Sequence, residues 1–229
     1  VLEMKTGRLH CCEATLFWGN EDMTVPRSRF LPIIDQLGYS RQLYRFACDK
    51  ICSFCASVRE QGYPEFRVSF KMPENILNSE ISVDVLQSTL LEYSLPPSAI
   101  SISVTEAEGT LTSGGIYLQA LSRMGMNIIA DDTGMGYFTD APLSNASVKT
   151  VKIRADRFSG DSVSSGFVRS LIKKAHSKGI AVCAKEVDSP SDLTAIGGSE
   201  IDLIEGIFNG RPLRDHEFIE RMSEGLGAG

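Results

Sequence analysis

Asp131 and Asp132 stand side by side in I-I-A-D-D-T-G-M-G-Y (128–137), where a short apolar run gives way to a loop. Two like charges in contact repel, and taking both out of water is costly. A divalent cation would offset that cost, because hard cations take carboxylate oxygens. A solvated surface turn would make the pair cheap instead. Other residues able to do chemistry also close apolar runs: Glu13, Ser69, Ser103, Lys152 with Arg154, Lys185 with Asp188, and Glu205. Any one of them reads as an ordinary solvent-facing strand end. As a set aimed into one mouth, they describe a ligand site.

The elements that must position them alternate along the chain. Strand-like runs are readable at 9–17, 66–70, 100–104, 127–131, 148–153, 180–185 and 201–206. Helical patterns fall near 40–60, 75–92, 111–124, 164–177, 190–197 and 214–223, and Pro26 opens a further short helix. Alternation at this pitch means βαβ units around a parallel sheet. Seven strands in one unbroken series, with no Pro/Gly/Ser linker, predict a single α/β domain over 1–229, a (β/α)₈ TIM-like barrel. Its remaining strand is expected upstream of Val1 or truncated at the start of the chain. An open doubly wound sheet is the competing fold, but the glycine-rich dinucleotide fingerprint is absent. In a barrel of this kind chemistry gathers where the strands end.

Composition narrows the function classes. With 229 residues, 42% hydrophobic and a net charge of −6, the chain has a sizeable core and no basic excess for DNA. No apolar run reaches the roughly 18 residues of a membrane span. Six cysteines could suggest disulfides, but Cys48, Cys52 and Cys55 recur on one apolar helix face, and Cys11 and Cys12 are strand neighbours. Core packing is the expectation for them, in a reduced, cytoplasmic protein.

The strand ends also carry a resemblance. T-G-R-L-H-C-C-E-A-T-L-F-W (6–18) resembles the signature segment of the EAL domain, the cyclic di-GMP phosphodiesterase barrel of bacterial signal transduction. P-R-S-R-F-L-P-I-I-D (26–35) is similar to its Pro-x-x-Phe-Ile-Pro segment, and S-V-T-E (103–106) to its E-x-T-E. A-D-D-T-G-M-G-Y resembles its D-D-F-G-T-G-Y, and V-K-T-V-K-I-R (148–154) its V-D-x-x-K-I-D. C-A-K-E-V-D (183–188) resembles A-E-G-V-E, and E-G-I-F-N-G-R-P-L (205–213) resembles Q-G-Y-x-F-x-R-P-L. The resemblance implies an EAL-type barrel forming the C-terminal part of a larger signalling protein. In active members two cations, Mg or Mn, sit between strand-end carboxylates and the phosphodiester and activate a water.

By position, the implied metal ligands are Glu13, Asp131 and Asp132, with Lys152 at a catalytic position and Glu106 orienting the D-D loop. Ligand contacts are implied at Glu13, Phe17, Pro26, Asp132, Lys152, Arg154, Glu205 and Pro212. The departures matter more. Ser69 replaces a metal-binding Asn, Ser103 the first Glu of E-x-T-E, Arg154 an Asp, and Phe17 an Arg. Glu205 replaces a Gln, and Lys185 stands where the catalytic Glu belongs.

Four acids (13, 131, 132, 205) against three bases (152, 154, 185) sum to −1. The family pattern sums to roughly −5, which suits two dications. The expectation is therefore a catalytically inactive, degenerate site with no cofactor, its metal positions vestigial. Lys185 or Lys152 would supply the countercharge for Asp131 and Asp132. Such a domain would bind cyclic di-GMP as a metal-free nucleotide sensor. The alternatives are a protein-interaction scaffold and residual metal-dependent hydrolysis. Expected partners are cyclic di-GMP, an upstream signalling domain or partner protein, and a second copy through the 133–140 loop, with no DNA and no membrane within this segment.

Overall fold

A computed structural model describes residues 1–19, 23–105, 115–133, 143, 147–159, 162–207 and 211–223. Its strands are β1 (Leu2–Glu3), β2 (Cys12–Ala14), β3 (Trp18–Gly19), β4 (Thr24–Val25), β5 (Val68–Lys71), β6 (Ile100–Thr105), β7 (Asn127–Asp131), β8 (Val148–Arg154), β9 (Ala181–Lys185) and β10 (Leu203–Ile204). Eight of them form one sheet in the order β1-β10-β9-β8-β7-β6-β5-β2, and β3 pairs only with β4. The pairs from β2 to β10 along that order are parallel, while β1 runs antiparallel to β10. Backbone bonds from the amides of His10 and Cys11 to Val1 O, at 3.0 and 3.4 Å, tie the two ends of the sheet together. The expected barrel is what the chain forms.

The remaining strand, expected from residues before Val1 or cut short at the chain's start, is the two-residue β1. It is antiparallel because the turn at Gly7, held in the left-handed region at φ 68°, folds the chain straight back onto it. Of the run read as one strand over 9–17, only Cys12–Ala14 is strand, with Leu9 in an isolated bridge to Leu2; the β3–β4 hairpin begins after it, at Trp18. The helix read over 75–92 breaks into Glu74–Leu77 and Ile81–Glu92. Between them the Ser79 hydroxyl bonds Ile76 O and the Ser82 hydroxyl bonds Ser79 O, local contacts that compete with the helical ladder.

Period-2 alternation sorts each strand into two faces. Val68, Phe70, Ile100, Ile102, Val104, Val151, Ile153 and Val182 are buried in the hydrophobic core. The other face lines the barrel interior: Glu13, Ser69, Lys71, Ser103, Asp131, Lys152, Arg154 and Lys185. Strand register sets them side by side, with Glu13 opposite Ser69, Lys71 opposite Ser103, and Arg154 opposite Lys185. Along the helix Ser40–Glu60, Cys48, Cys52 and Cys55 are fully buried on the core face. Burial pushes the Cys48 thiol up to about 12, so these cysteines are packing residues, as their spacing predicts.

Candidate ligand site at the barrel mouth

Lys185 ends β9 and is held almost fully from water. Its Nζ donates to Asp131 Oδ1 at 2.8 Å and lies 2.6 Å from Asp132 Oδ1. The second oxygen of Asp131, Oδ2, accepts from Lys71 Nζ at 3.3 Å. Asp131 is thus bracketed by two ammonium groups from opposite sides. Burial alone would raise its carboxyl. The Lys185 hydrogen bond and charge, with Lys152 and Lys71 behind them, outweigh burial and hold it below its ordinary value. For Lys185 burial works against the charged form, and the two aspartates reverse it, so the ammonium is kept protonated. Asp132 takes a left-handed φ of 56°, a conformation Asp tolerates better than most residues. Thr133 then anchors the turn through its amide to Lys152 O at 3.0 Å.

Lys152, two residues before the end of β8, makes a second centre. It ion-pairs with Glu13 and donates to Glu205 Oε2 at 2.6 Å. Burial opposes its charge, but two carboxylates win and its value is raised. Burial pushes Glu13 the other way, upward, and repulsion from Glu205 adds to this against the pull of Lys152. The sequence left Lys185 or Lys152 as the countercharge for the Asp pair. The structure assigns that role to Lys185 with Lys71, and gives Lys152 to the two glutamates.

Arg154 forms a third group, nearer solvent. It reaches Asp156 Oδ2 at 3.2 Å and Glu186 Oε2 at 3.1 Å. Phe17 is exposed at the rim, with the Arg214 guanidinium 5.6 Å from its ring centroid, a cation–π arrangement. Pro26 caps the helix Arg27–Gln36 and, like Pro212, is exposed. Asp188 is used elsewhere: its carboxylate accepts from the Ile207 amide at 2.8 Å. Ser69 is fully buried and reaches Cys12 O at 3.4 Å, whereas the buried Ser103 hydroxyl has no hydrogen-bond partner among the described residues. Glu106 and residues 134–140 lie outside the described residues.

A divalent cation does not fit this set. Both Asp131 oxygens face ammonium groups, Asp132 shares Lys185, and Glu13 and Glu205 share Lys152. The two serines are neutral. Among the described residues no three carboxylate, imidazole or thiol groups converge as a metal would need.

Sequence reading missed Lys71, Glu186 and Arg214. Lys71 was legible in principle, since V-S-F-K places it two residues after Ser69 on the same face. Glu186 stands where the matched motif has Gly, and its φ of 58° keeps the backbone conformation that a glycine would take freely. Arg214 meets Phe17 from a distant segment, and spacing carries no signal for that.

Residues 1–212 match the EAL domain family. The chain is 26% identical over 200 residues to the cyclic di-GMP phosphodiesterase PdeF of Escherichia coli, covering 85% of this chain and 26% of that protein. It is 22% identical over 217 residues to the bifunctional diguanylate cyclase/cyclic di-GMP phosphodiesterase MucR of Pseudomonas aeruginosa, covering 92% of this chain and 32% of that one. The chain therefore spans only about a quarter to a third of such relatives. Its fold matches a PaMucR phosphodiesterase in complex with c-di-GMP at a TM-score of 0.81, with 21% identity and 95% and 90% of the two chains covered. It also matches the FimX EAL domain of Xanthomonas citri in complex with c-diGMP at a TM-score of 0.78, with 16% identity and 93% and 85% covered. With the fold, the ordered motifs and the family match agreeing over nearly its whole length, the chain belongs to the EAL domain family.

Proposed function

We propose that this chain is a catalytically inactive EAL domain that binds cyclic di-GMP without metal and acts as a sensor within a larger signalling protein. The observation that carries the reading is Lys185, whose ammonium lies between Asp131 and Asp132 at 2.8 and 2.6 Å. An activated water needs a Lewis acid or a base beside the phosphodiester. Here the candidate base position is a cation, and the carboxylates that would hold metal are already paired.

Charge supports binding without hydrolysis. Counting Lys71, the interior positions hold four acids (13, 131, 132, 205) and four bases (71, 152, 154, 185), which cancel. A ligand with two phosphate charges would be repelled by a bare carboxylate cluster but not by this one. Lysine and arginine side chains offer it charge-assisted donors. The exposed Phe17 ring offers a face for a guanine. The relatives named as cyclic di-GMP phosphodiesterases, and the neighbours solved with that ligand, make it the ligand to test first.

A second reading, a protein-interaction scaffold, has its own observation. Phe17, Trp18, Met23, Ile33, Leu37 and Phe46 are exposed large apolar side chains within one stretch of about 30 residues. Calorimetric titration with cyclic di-GMP in EDTA, then in Mn²⁺, decides between the two when run beside a hydrolysis assay. Saturable binding in EDTA with no linear product is the expected result. Binding or turnover that appears only with Mn²⁺ would overturn the sensor reading, and no binding in either buffer would favour the scaffold.

A further inference from the structure

Arg154 is the most open of the interior bases. Its side chain is 33% exposed, against 29% for Lys71, 11% for Lys185 and 3% for Lys152. Both of its donor edges are nevertheless filled. Nε and Nη2 face Asp156 Oδ1 and Oδ2 at 3.4 and 3.2 Å, and Nη1 and Nη2 face Glu186 Oε1 and Oε2 at 3.4 and 3.1 Å. Two parallel N–H···O contacts to one group are how a guanidinium grips either a carboxylate or a phosphate.

The two carboxylates differ in kind. Asp156 follows Arg154 by two residues and travels with it. Glu186 reaches across from the end of the neighbouring strand β9, on a backbone at φ 58° that an L-residue adopts only at a cost. Its Oε1 also lies 4.0 Å from Lys185 Nζ, so one side chain touches two of the mouth's bases. It is half exposed, and a rotation into solvent would free the guanidinium edge without moving either strand.

We propose that Glu186 is an internal competitor for Arg154, occupying with its carboxylate the guanidinium edge through which the mouth takes a phosphate, and so setting how tightly an anionic ligand is held. The proposal rests on the reading of the mouth as a phosphodiester site. The competitor leaves the site when the ligand enters, so its removal strengthens binding and does not weaken it.

The test compares the full chain with Glu186→Gly, which suits the backbone, Glu186→Gln, which keeps the shape, Arg154→Ala, and the double variant Glu186→Gly/Arg154→Ala. Cyclic di-GMP is titrated calorimetrically in EDTA. Millimolar pyrophosphate is titrated separately while the Arg154 Nε–Hε resonance is followed by NMR. Both single Glu186 variants are expected to bind cyclic di-GMP about two- to fivefold more tightly than wild type, the size of one partly exposed ion pair. The double variant is expected to match Arg154→Ala. The Arg154 resonance is expected to respond to pyrophosphate only after Glu186 is replaced.

Equal or weaker cyclic di-GMP binding by the Glu186 variants would overturn the competition while leaving the sensor reading standing. A pyrophosphate response unmasked by Glu186→Gly, with no cyclic di-GMP binding in any protein, would uphold the competition and sink the sensor reading. No response to either probe in any protein would overturn both.

Discussion

Lys185 Nζ lies 2.8 Å from Asp131 Oδ1 and 2.6 Å from Asp132 Oδ1, so one ammonium sits between two adjacent carboxylates that would otherwise repel. Lys71 completes the arrangement on Asp131 Oδ2 at 3.3 Å. The cost of burying Asp131 and Asp132 at a strand end is met by side chains of the same fold. A tethered ammonium differs from a metal ion in ways that matter: a chelator cannot remove it, and it offers no coordination site for water.

Lys185→Glu should destabilise the protein by about 3–5 kcal/mol, the usual cost of leaving buried charges uncompensated. Glu13, Asp131, Asp132, Glu205 and the new carboxylate would then crowd one mouth. For a chain of this size that is a fall in melting temperature of about 2–4 °C per kcal/mol. Added Mn²⁺ should restore part of it, because the refilled cluster can bind a cation in the folded state only. Thermal melts with and without Mn²⁺ check this. An unchanged melting temperature would mean that Lys185 contributes nothing by its pairing.

Asp131→Asn and Glu13→Gln should differ although each neutralises one buried carboxylate of the same mouth. Asp131 serves two lysines and is held in its charged form, so its loss leaves Lys71 without its partner among the described residues and Lys185 with only Asp132 and the more distant Glu186; about 2–3 kcal/mol is expected. The Glu13 carboxyl is pushed upward by burial, so its charge already opposes folding, and Lys152 keeps Glu205. Glu13→Gln should fall within about 1 kcal/mol of wild type. Urea midpoints at neutral pH report the order, and a larger loss for Glu13→Gln would contradict it.

Much of the barrel was legible because its strands are apolar runs with clear alternation, as in I-S-I-S-V and N-I-I-A-D. The two-residue β1 was not, since a pattern of period 2 needs more than two residues to be seen. The pairing of Lys185 with the aspartates followed from charge arithmetic on the strand ends. The role of Lys152 did not, because Glu13 and Glu205 reach it from strands distant in sequence. Lys71 was hidden by ending its strand one residue early, at Phe70.

Stability should pass through three regimes of pH. Asp131 titrates in the folded state below its ordinary 3.8, so its contribution is complete above that value and is lost as pH falls through the depressed one. Lys185 titrates above its ordinary 10.5, so its contribution is complete below 10.5 and is lost only as pH rises through the higher folded value. Glu13 has the opposite sign to Asp131. Its folded value lies above 4.5, so acidification through that value towards 4.5 adds stability. Melts across about pH 2–12 should therefore show a shallow gain in mild acid before the steep acid loss, and a loss in strong base only above about 10.5. Glu13→Gln should erase the gain, and Asp131→Asn should soften the loss. A wild-type curve that declines steadily from neutrality would count against the Glu13 assignment.

Gly206 should be the glycine least able to accept a methyl group among those near the site. It follows Glu205 and lies against the segment that leaves Lys185, where the Val187 amide bonds Glu205 O at 2.9 Å. A Cβ at 206 would fall 2.1 Å from Val187 O and 2.5 Å from Val187 C and N, all backbone atoms that cannot rotate aside. Gly206→Ala must therefore part the two chains, moving Glu205 away from Lys152 and shifting the Lys185–Glu186 turn. Overpacking of this kind costs about 1–3 kcal/mol or more, and here it also disturbs two of the three charge centres. Gly198→Ala is the control. That position has φ 80° but nothing within 4 Å of a Cβ, so only backbone strain, about 1–2 kcal/mol, applies. Both melting temperatures should drop, but only Gly206→Ala should change cyclic di-GMP binding in EDTA. Equal binding by the two variants would show that the Glu205–Lys152 contact survives separation of these segments and is not needed at the mouth.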